Sequence, residues 1–477
     1  QILFSYVNPS ARHVPNAAAR RLRSYLQASR LPAMTTDHAT ANSHPLERDA
    51  QVAMSHHDVS PNDIALGVVI GRASENFDFF VFGIASVLVF PKVFFPFADP
   101  LKGTLYSFAI FALAFIARPL GSIFFMWVHK RHGRGVKLTA ALFLLGGSTA
   151  AISFLPSYNS IGAVAIELLA VLRIAQGFAL GGAWDGMASL LALNAPRERR
   201  GWYAMIPQLG APFGFMVASA LFAFFVVNLT PEDFTDWGWR FPFFCAFTIN
   251  VVALFARLRL VATPEFTRLL DKGRLEPVSV IDLARHHALD VWIGAFVPLA
   301  SFALFHLVTI FPIAWLVLSS DRSAGDFLMV QFSGAVICAG AVAASGLIAD
   351  RIGRRNMLLI SAGLIAVFAC GSILAPLIFG ENAIGQTIYV NIGFMLLGLS
   401  YGQTAGAVTS RLGARYRYTG AALTSDLAWL FGAGFAPLVV LYLSTAYGLA
   451  MVGVYLLSGA LATLLALALD RSEMRQM

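Results

Sequence analysis

Between residues 64 and 469 one pattern repeats: an apolar run longer than the roughly 18 to 20 residues that cross a bilayer core about 30 Å thick, then a short polar or charged turn. No stretch shows the strict two-residue alternation over about 10 residues that builds a transmembrane barrel, so the runs read as membrane-spanning helices. Composition points the same way. With 57% apolar and 13% charged residues and a mean hydropathy of +0.69, the chain is too apolar for a soluble globule of 477 residues.

Apolar runs and their breaks place twelve spans, numbered here 1 to 12. The first six lie at about 64–90, 103–128, 136–155, 160–194, 200–228 and 238–258; the second six lie at about 289–318, 325–349, 356–379, 384–410, 417–444 and 447–469. The expected fold class is an all-α membrane protein of twelve transmembrane helices in two six-helix halves, residues 63–258 and 289–470. Residues 259–288 form a polar connector broken by Pro264, Gly273 and Pro277. Residues 1–62 are polar and read as a disordered tail, and residues 471–477 as a second tail. The Arg-rich, acid-free opening 1–33 has the composition of a transit peptide or of an over-extended start, and is set aside from the fold.

A net charge of +8 does not mark a nucleic-acid binder here, because Lys and Arg lie in short clusters between spans and set topology. Alternate loops on one side hold Lys130, Arg131, Arg134, Lys137, Arg197, Arg199, Arg200, Arg351, Arg354, Arg355, Arg411, Arg415 and Arg417 together with the connector. The other side holds Lys92, Lys102, Arg322 and Arg240 and the acids Glu232, Asp233, Asp236 and Glu381. The positive-inside rule then puts both termini and the connector in the cytoplasm, in a cell inner (plasma) membrane, and requires an even number of spans. Cys245, Cys338 and Cys370 stand singly in apolar runs, which indicates neither a disulfide framework nor a metal site.

The halves are related by a repeat. Lys130-Arg131-His132-Gly133-Arg134 after span 2 recurs as Asp350-Arg351-Ile352-Gly353-Arg354 after span 8, an offset of 220 residues from position 130 to position 350. At these loops the chain resembles the major facilitator superfamily, whose marker reads Gly-x-x-x-Asp-Arg-x-Gly-Arg-Arg/Lys. The second copy, Gly346 to Arg355, matches it fully; the first has Met126, Lys130 and Gly135 in place of Gly, Asp and the final basic residue. Other segments resemble the metabolite:proton symporter branch: Glu75-Asn76-Phe77-Asp78-Phe79, Ala117-Arg118-Pro119-Leu120-Gly121, Leu172 to Gly177, Pro207 to Pro212 and Trp237 to Pro242. In the second half Arg417-Tyr418-Thr419-Gly420 and Ala436-Pro437 continue the series. The resemblance implies substrate binding between the halves at the midplane. It also implies gating by the loop residues Lys130, Arg131, Arg134, Asp350, Arg351 and Arg354. Three positions depart from the branch: Ala183 for a Glu in span 4, with Asp185 two residues on, Asn194 for the Glu before span 5, and Ser410 for a Glu in span 10. Loss of the loop Asp and the Asn194 acid together suggests a rebuilt latch in the first half.

Charged groups inside lipid-spanning helices cost several kcal/mol unless paired or wetted, so each is a functional candidate. These are Arg72, Glu75 and Asp78 in span 1, Arg118 in span 2, Glu167, Arg173 and Asp185 in span 4, and Asp426 in span 11. Arg72, Glu75, Asn76 and Phe79 fall at i, i+3, i+4 and i+7, one helix face that should line a cavity. An i, i+3 ion pair between Arg72 and Glu75 is the plainer reading. Arg118 lies about 15 residues, roughly 23 Å, from the outer end of its span, within reach of either a cavity or an anchoring role. Asp185 is rotated by about 120° from Arg173 and reads as a gate residue or a solvated helix end. His306 lies near the middle of span 7, and Gln176 one turn beyond Arg173; both join Arg72 and Arg118 as substrate-binding candidates, while Asp426 joins the gate. Gly177 and Gly181, with Gly182 and Gly186, form small-x-x-x-small pairs that let a neighbouring backbone approach.

Asp78 and Arg173 lie at depths near 20 Å at 1.5 Å per residue, and resemble the proton-relay pair of sugar:proton symporters. Paired, the Arg keeps the Asp ionised; drawn apart, the buried acid binds a proton. Glu75 is the second coupling candidate. The expected function is proton-coupled symport of a small polar metabolite, chiefly an organic carboxylate, by a monomeric unit in a lipid bilayer. No cofactor, metal, nucleic-acid partner or enzyme site is expected, since no P-loop, Gly-x-Ser-x-Gly or His-Glu-x-x-His pattern occurs. Exchange or efflux on the same fold, or a transporter-derived sensor that binds without flux, are the alternatives.

Overall fold

The computed structural model describes residues 61–183, 191, 196–261, 276–320, 322–379, 382–405, 412 and 415–469. Residues 1–60 of the first tail, the second tail, Asp185, Gly186, Asn194 and Ser410 lie outside the described residues, and the helix of span 1 takes in the first tail's residues 61 and 62. Among these residues every regular element is helical. Ten helices are long and apolar enough to cross a bilayer. One of them, Pro100–Ser153, contains both span 2 and span 3. Span 1, Pro61–Leu88, falls outside that set because Arg72, Glu75 and Asp78 crowd its centre. Counting both gives the twelve crossings.

The two loop motifs share one conformation. Gly133 breaks Pro100–Ser153 with φ 86°, and Gly353 separates Ala324–Ile352 from Arg354–Phe379 with φ 84°. A left-handed φ is what glycine supplies without a Cβ penalty, so the repeated Gly turns the chain back in both halves. Caps start the helices. Asp99 accepts from the Lys102 backbone N–H at 2.9 Å, Ser323 from that of Asp326 at 3.3 Å and Asn382 from that of Ile384 at 3.0 Å. The bond to Asp99, reinforced by the Lys102 ammonium, holds this exposed carboxyl below its usual range.

Proline interrupts several spans, as its missing N–H and ring require. Span 5 runs Arg200–Met205, a tight turn Ile206–Leu209 with Pro207, then Gly210–Asn228. Span 7 is divided into Leu299–Thr309 and Phe311–Ser319, and span 11 into Arg417–Trp429, a wide turn Leu430–Gly434 and Ala436–Tyr447. A helix over Val280–Phe296 precedes span 7, so helical structure starts nine residues ahead of the expected position 289. It kinks at His287 (φ −134°, ψ 21°), the residue where sequence polarity gives way to the apolar run.

Close backbone packing fixes neighbours within each half. A Cβ at Gly177 would lie 2.1 Å from the Ala114 carbonyl oxygen and one at Gly181 2.2 Å from that of Arg118, so spans 4 and 2 touch backbone to backbone. The second half repeats the device: a Cβ at Gly398 in span 10 would lie 2.4 Å from the Cys338 carbonyl oxygen in span 8. Leu120, Trp127, Val171, Phe255, Leu347 and Val367 remain exposed on the outside, the inverse of a soluble surface and suited to lipid. The halves meet where span 5 packs on span 8 and span 2 on span 11.

Candidate functional site: a cavity between the halves

Seven spans converge on one cavity, span 4 through Leu180 alone. Span 1 contributes Arg72, Glu75, Asn76 and Phe79, the face set by their spacing; span 2 contributes Arg118 and span 5 Gln208. From the other half come Phe302 of span 7, Tyr401 and Thr404 of span 10, and Ser425 and Trp429 of span 11. Three acid–base contacts organise the charges. Arg72 Nη1 donates to Glu75 Oε2 at 2.8 Å, and Arg257 Nη2, from span 6, to Glu75 Oε1 at 2.5 Å. Arg118 Nε donates to Asp426 Oδ1 at 2.7 Å, across the interface between halves. Arg72 and Arg118 keep 15% and 14% of their side chains exposed, whereas Arg257 is sealed. Gln208 Nε2 donates to Thr404 Oγ1 at 2.6 Å, a second polar tie across the interface.

An aromatic layer closes the cavity away from the loop motifs. Phe79 packs on Phe111, Phe115 and His306 at centroid distances of 5.1, 5.2 and 5.3 Å, and Phe302 on Trp429 at 4.4 Å. His306 is fully buried in this layer and does not line the cavity. Its ring lies among Phe79, Phe111, Phe115 and Phe305, behind the cavity wall in this conformation.

Asp78 and Arg173 lie deeper in the first half, and each hydrogen-bonds to other partners. Asp78 Oδ2 accepts from Asn250 Nδ2 at 2.6 Å, and Asn250 Oδ1 accepts from Ser74 Oγ at 3.0 Å. Arg173 donates through Nε to the Phe111 carbonyl and through Nη1 to Gln176 Oε1, both at 3.2 Å, with its guanidinium 4.0 Å from the Phe82 ring centroid. Gln176 Nε2 donates in turn to Thr149 Oγ1 at 2.7 Å, so Gln176 serves this buried network and is absent from the cavity wall. Among the described residues no ion pair joins Asp78 to Arg173 in this conformation.

At the loop-motif end the two copies behave differently. Asp350 accepts from the backbone N–H groups of Gly201 at 2.6 Å and Trp202 at 3.3 Å, capping span 5 from the opposite half. The equivalent residue of the first copy, Lys130, is exposed and offers no acid. Seven residues on, Lys137 is buried and donates to Tyr418 Oη at 2.9 Å, while His129 packs against the Tyr418 ring at 5.8 Å. The chain turns at Gly133, and Lys137 is one turn into span 3, at the same end of the bundle as the loop charges. Arg131 lies exposed over Trp127 at 5.9 Å; Arg351 is exposed, and Arg134 and Arg354 are half-buried. Sequence reasoning also missed Arg257, Asn250 and Ser122. Arg257 sits near the end of its span, where a basic residue ordinarily marks the interface, and Asn and Ser carry no charge to flag them.

The Major Facilitator Superfamily family model matches residues 71–437. The chain belongs to the major facilitator superfamily. It is 37% identical over 421 residues to the inner membrane metabolite transport protein YhjE of Escherichia coli K12, covering 87% of this chain and 96% of that one. It is 30% identical over 428 residues to the shikimate transporter of the same organism, covering 86% and 94%. A crystal structure of a D-xylose-proton symporter superposes with a TM-score of 0.64 at 18% identity over 85% of this chain and 96% of that one, a likeness of fold. This family member is a multi-pass membrane transporter and not an enzyme.

Proposed function

We propose that the protein takes up a small organic carboxylate together with protons. The observation that carries the reading is the pair of arginines, Arg72 and Arg118, each presenting part of its side chain to a cavity whose wall also holds the aromatics Phe79, Phe302 and Trp429 and the polar groups Glu75, Asn76, Gln208 and Thr404. Two planar donors suit a carboxylate, and the aromatic wall suits a carbon skeleton. A relative at 30% identity is named a shikimate transporter, and shikimate is such an anion. Zwitterionic osmolytes fit less well. Their onium group would seek an aromatic face, but the Arg118 guanidinium already lies 5.8 Å from the Trp429 ring centroid.

Coupling is assigned to Asp78 with Arg173, supported by Glu75. Asp78 is buried away from the cavity with one amide partner, and Arg173 lies in the same half, held by neutral groups. A change of partner at either residue would convert proton occupancy into a structural difference. The loop residues Lys130, Arg131, Arg134, Asp350, Arg351 and Arg354 are assigned to the gate. The functional unit is a monomer in the inner membrane, its two six-helix halves joined by a cytoplasmic connector and both termini cytoplasmic.

The test is uptake into proteoliposomes of labelled shikimate, benzoate, lactate and glycine betaine, each with and without an imposed inward proton gradient. Accumulation of a carboxylate driven by the gradient is expected. Carboxylate flux indifferent to the gradient would leave an exchanger or efflux carrier. Binding with no flux would leave a sensor, and preference for betaine would overturn the substrate class.

A further inference from the structure

Arg118 and Ser122 stand one turn apart on span 2, and both hold the same acid from the other half. Arg118 Nε donates to Asp426 Oδ1 at 2.7 Å, and Ser122 Oγ donates to Asp426 Oδ2. Asp426 is 3% exposed and is not part of the cavity wall, whereas Arg118 is. The acid therefore grips the guanidinium from behind while the cavity meets it from the front.

A guanidinium offers five N–H donors in a rigid fork, and a carboxylate binds it best through two parallel bonds. Asp426 uses one of those donors, Nε, and turns its second oxygen to Ser122. An anion arriving from the cavity can engage the fork with both oxygens and compete for that donor.

We propose that Asp426 is a built-in stand-in for the substrate carboxylate, holding Arg118 when the cavity is empty and giving it up when the anion binds. This rests on the carboxylate reading above. Its consequence is conformational. A ligand that binds two states equally shifts nothing between them, so a transporter needs a contact whose making depends on which state it is in. The Arg118–Asp426 tie joins spans 2 and 11, and breaking it supplies that dependence. Span 11 is built to respond, since the segment Arg417–Trp429 ends at the wide turn Leu430–Gly434 and Pro437 follows. Tyr418, two turns before Asp426, carries the Lys137 bond on the same segment, so both ties report on one movable piece of helix.

The experiment is calorimetric titration of the purified full-length protein with shikimate, benzoate and lactate. Asp426→Asn keeps the shape but weakens the competitor, and should tighten binding of the recognised anion by about tenfold, the scale of one charge-assisted hydrogen bond. Ser122→Ala, a smaller change that leaves the acid in place, should tighten it severalfold, and keeps the test open where the Asn variant does not fold. A merely structural tie predicts equal or weaker affinity in both variants, and that result overturns the proposal. If the unmodified protein binds none of the three anions, the carboxylate reading fails and the stand-in role with it. If it binds one and neither variant tightens, only the stand-in role falls.

Discussion

Asp78 shows what a residue can disclose by itself and what it cannot. An acid in the middle of an apolar run is visible in the sequence, because lipid makes it costly, and so are Arg72, Glu75, Arg118, Arg173 and Asp426. Their partners are not visible. Asn250 lies 172 positions from Asp78, Arg257 182 from Glu75 and Asp426 308 from Arg118, separations that only the folded bundle closes. The partner expected for Asp78, Arg173, turns instead to Gln176 and the Phe111 carbonyl, while neutral Asn250 takes the acid. An amide can donate to a carboxylate and accept from a carboxylic acid after rotation, so Asn250 suits a group that changes protonation during a cycle. Asp78→Asn should then keep exchange of labelled for unlabelled carboxylate across proteoliposomes and lose accumulation driven by a proton gradient. Gradient-driven accumulation by this variant would remove Asp78 from the coupling step.

Elements were legible where periodicity and breakers agree, and blurred where one helix runs into another. Spans 2 and 3 form one continuous stretch because Gly133 bends the chain without a coil between them, and the helix from Val280 begins within polar sequence. The glycines that fix the bundle fall into two kinds with different costs. Gly177 is a matter of space: a Cβ there meets the Ala114 carbonyl oxygen at 2.1 Å, so Gly177→Ala must push spans 2 and 4 apart, an overpacking cost of about 1–3 kcal/mol. Gly353 is a matter of backbone: nothing lies within 4 Å of its Cβ position, but φ is 84°, which costs an L-residue about 1–2 kcal/mol. Both Ala variants should lower the thermal unfolding midpoint in detergent. The Gly177 change should also impair transport, because Arg118 rides on the same helix contact. An unchanged midpoint for Gly177→Ala would contradict the backbone contact between spans 2 and 4.

At the scale of the whole molecule the twofold repeat is the frame and its breaches carry information. Asp350 caps span 5 from the second half, but the position 220 residues earlier is Lys130, and the tie on that side passes to Lys137 and Tyr418. An acid on a helix N-terminus is favoured by the partial positive charge there, whereas a Lys would be repelled by it. With Lys130 at that position no equivalent cap can form there, and the buried Lys137 donates to Tyr418 Oη instead. Both ties lie at the end where Lys and Arg cluster, and this sets up the orientation. If basic loops stay in the cytoplasm, single cysteines replacing Arg131, Arg199, Arg354 and Arg415 should resist a membrane-impermeant thiol reagent in intact cells. Cysteines replacing Asp99, Asp233 and Glu381 should react, in a background from which Cys245, Cys338 and Cys370 have been removed. Permeabilising the cells should make the first set reactive, which separates protection by the membrane from burial in the protein. Labelling at position 354 in intact cells would reverse the orientation. The Asp350 and Lys137 ties would then close the outer mouth of the carrier rather than the inner one.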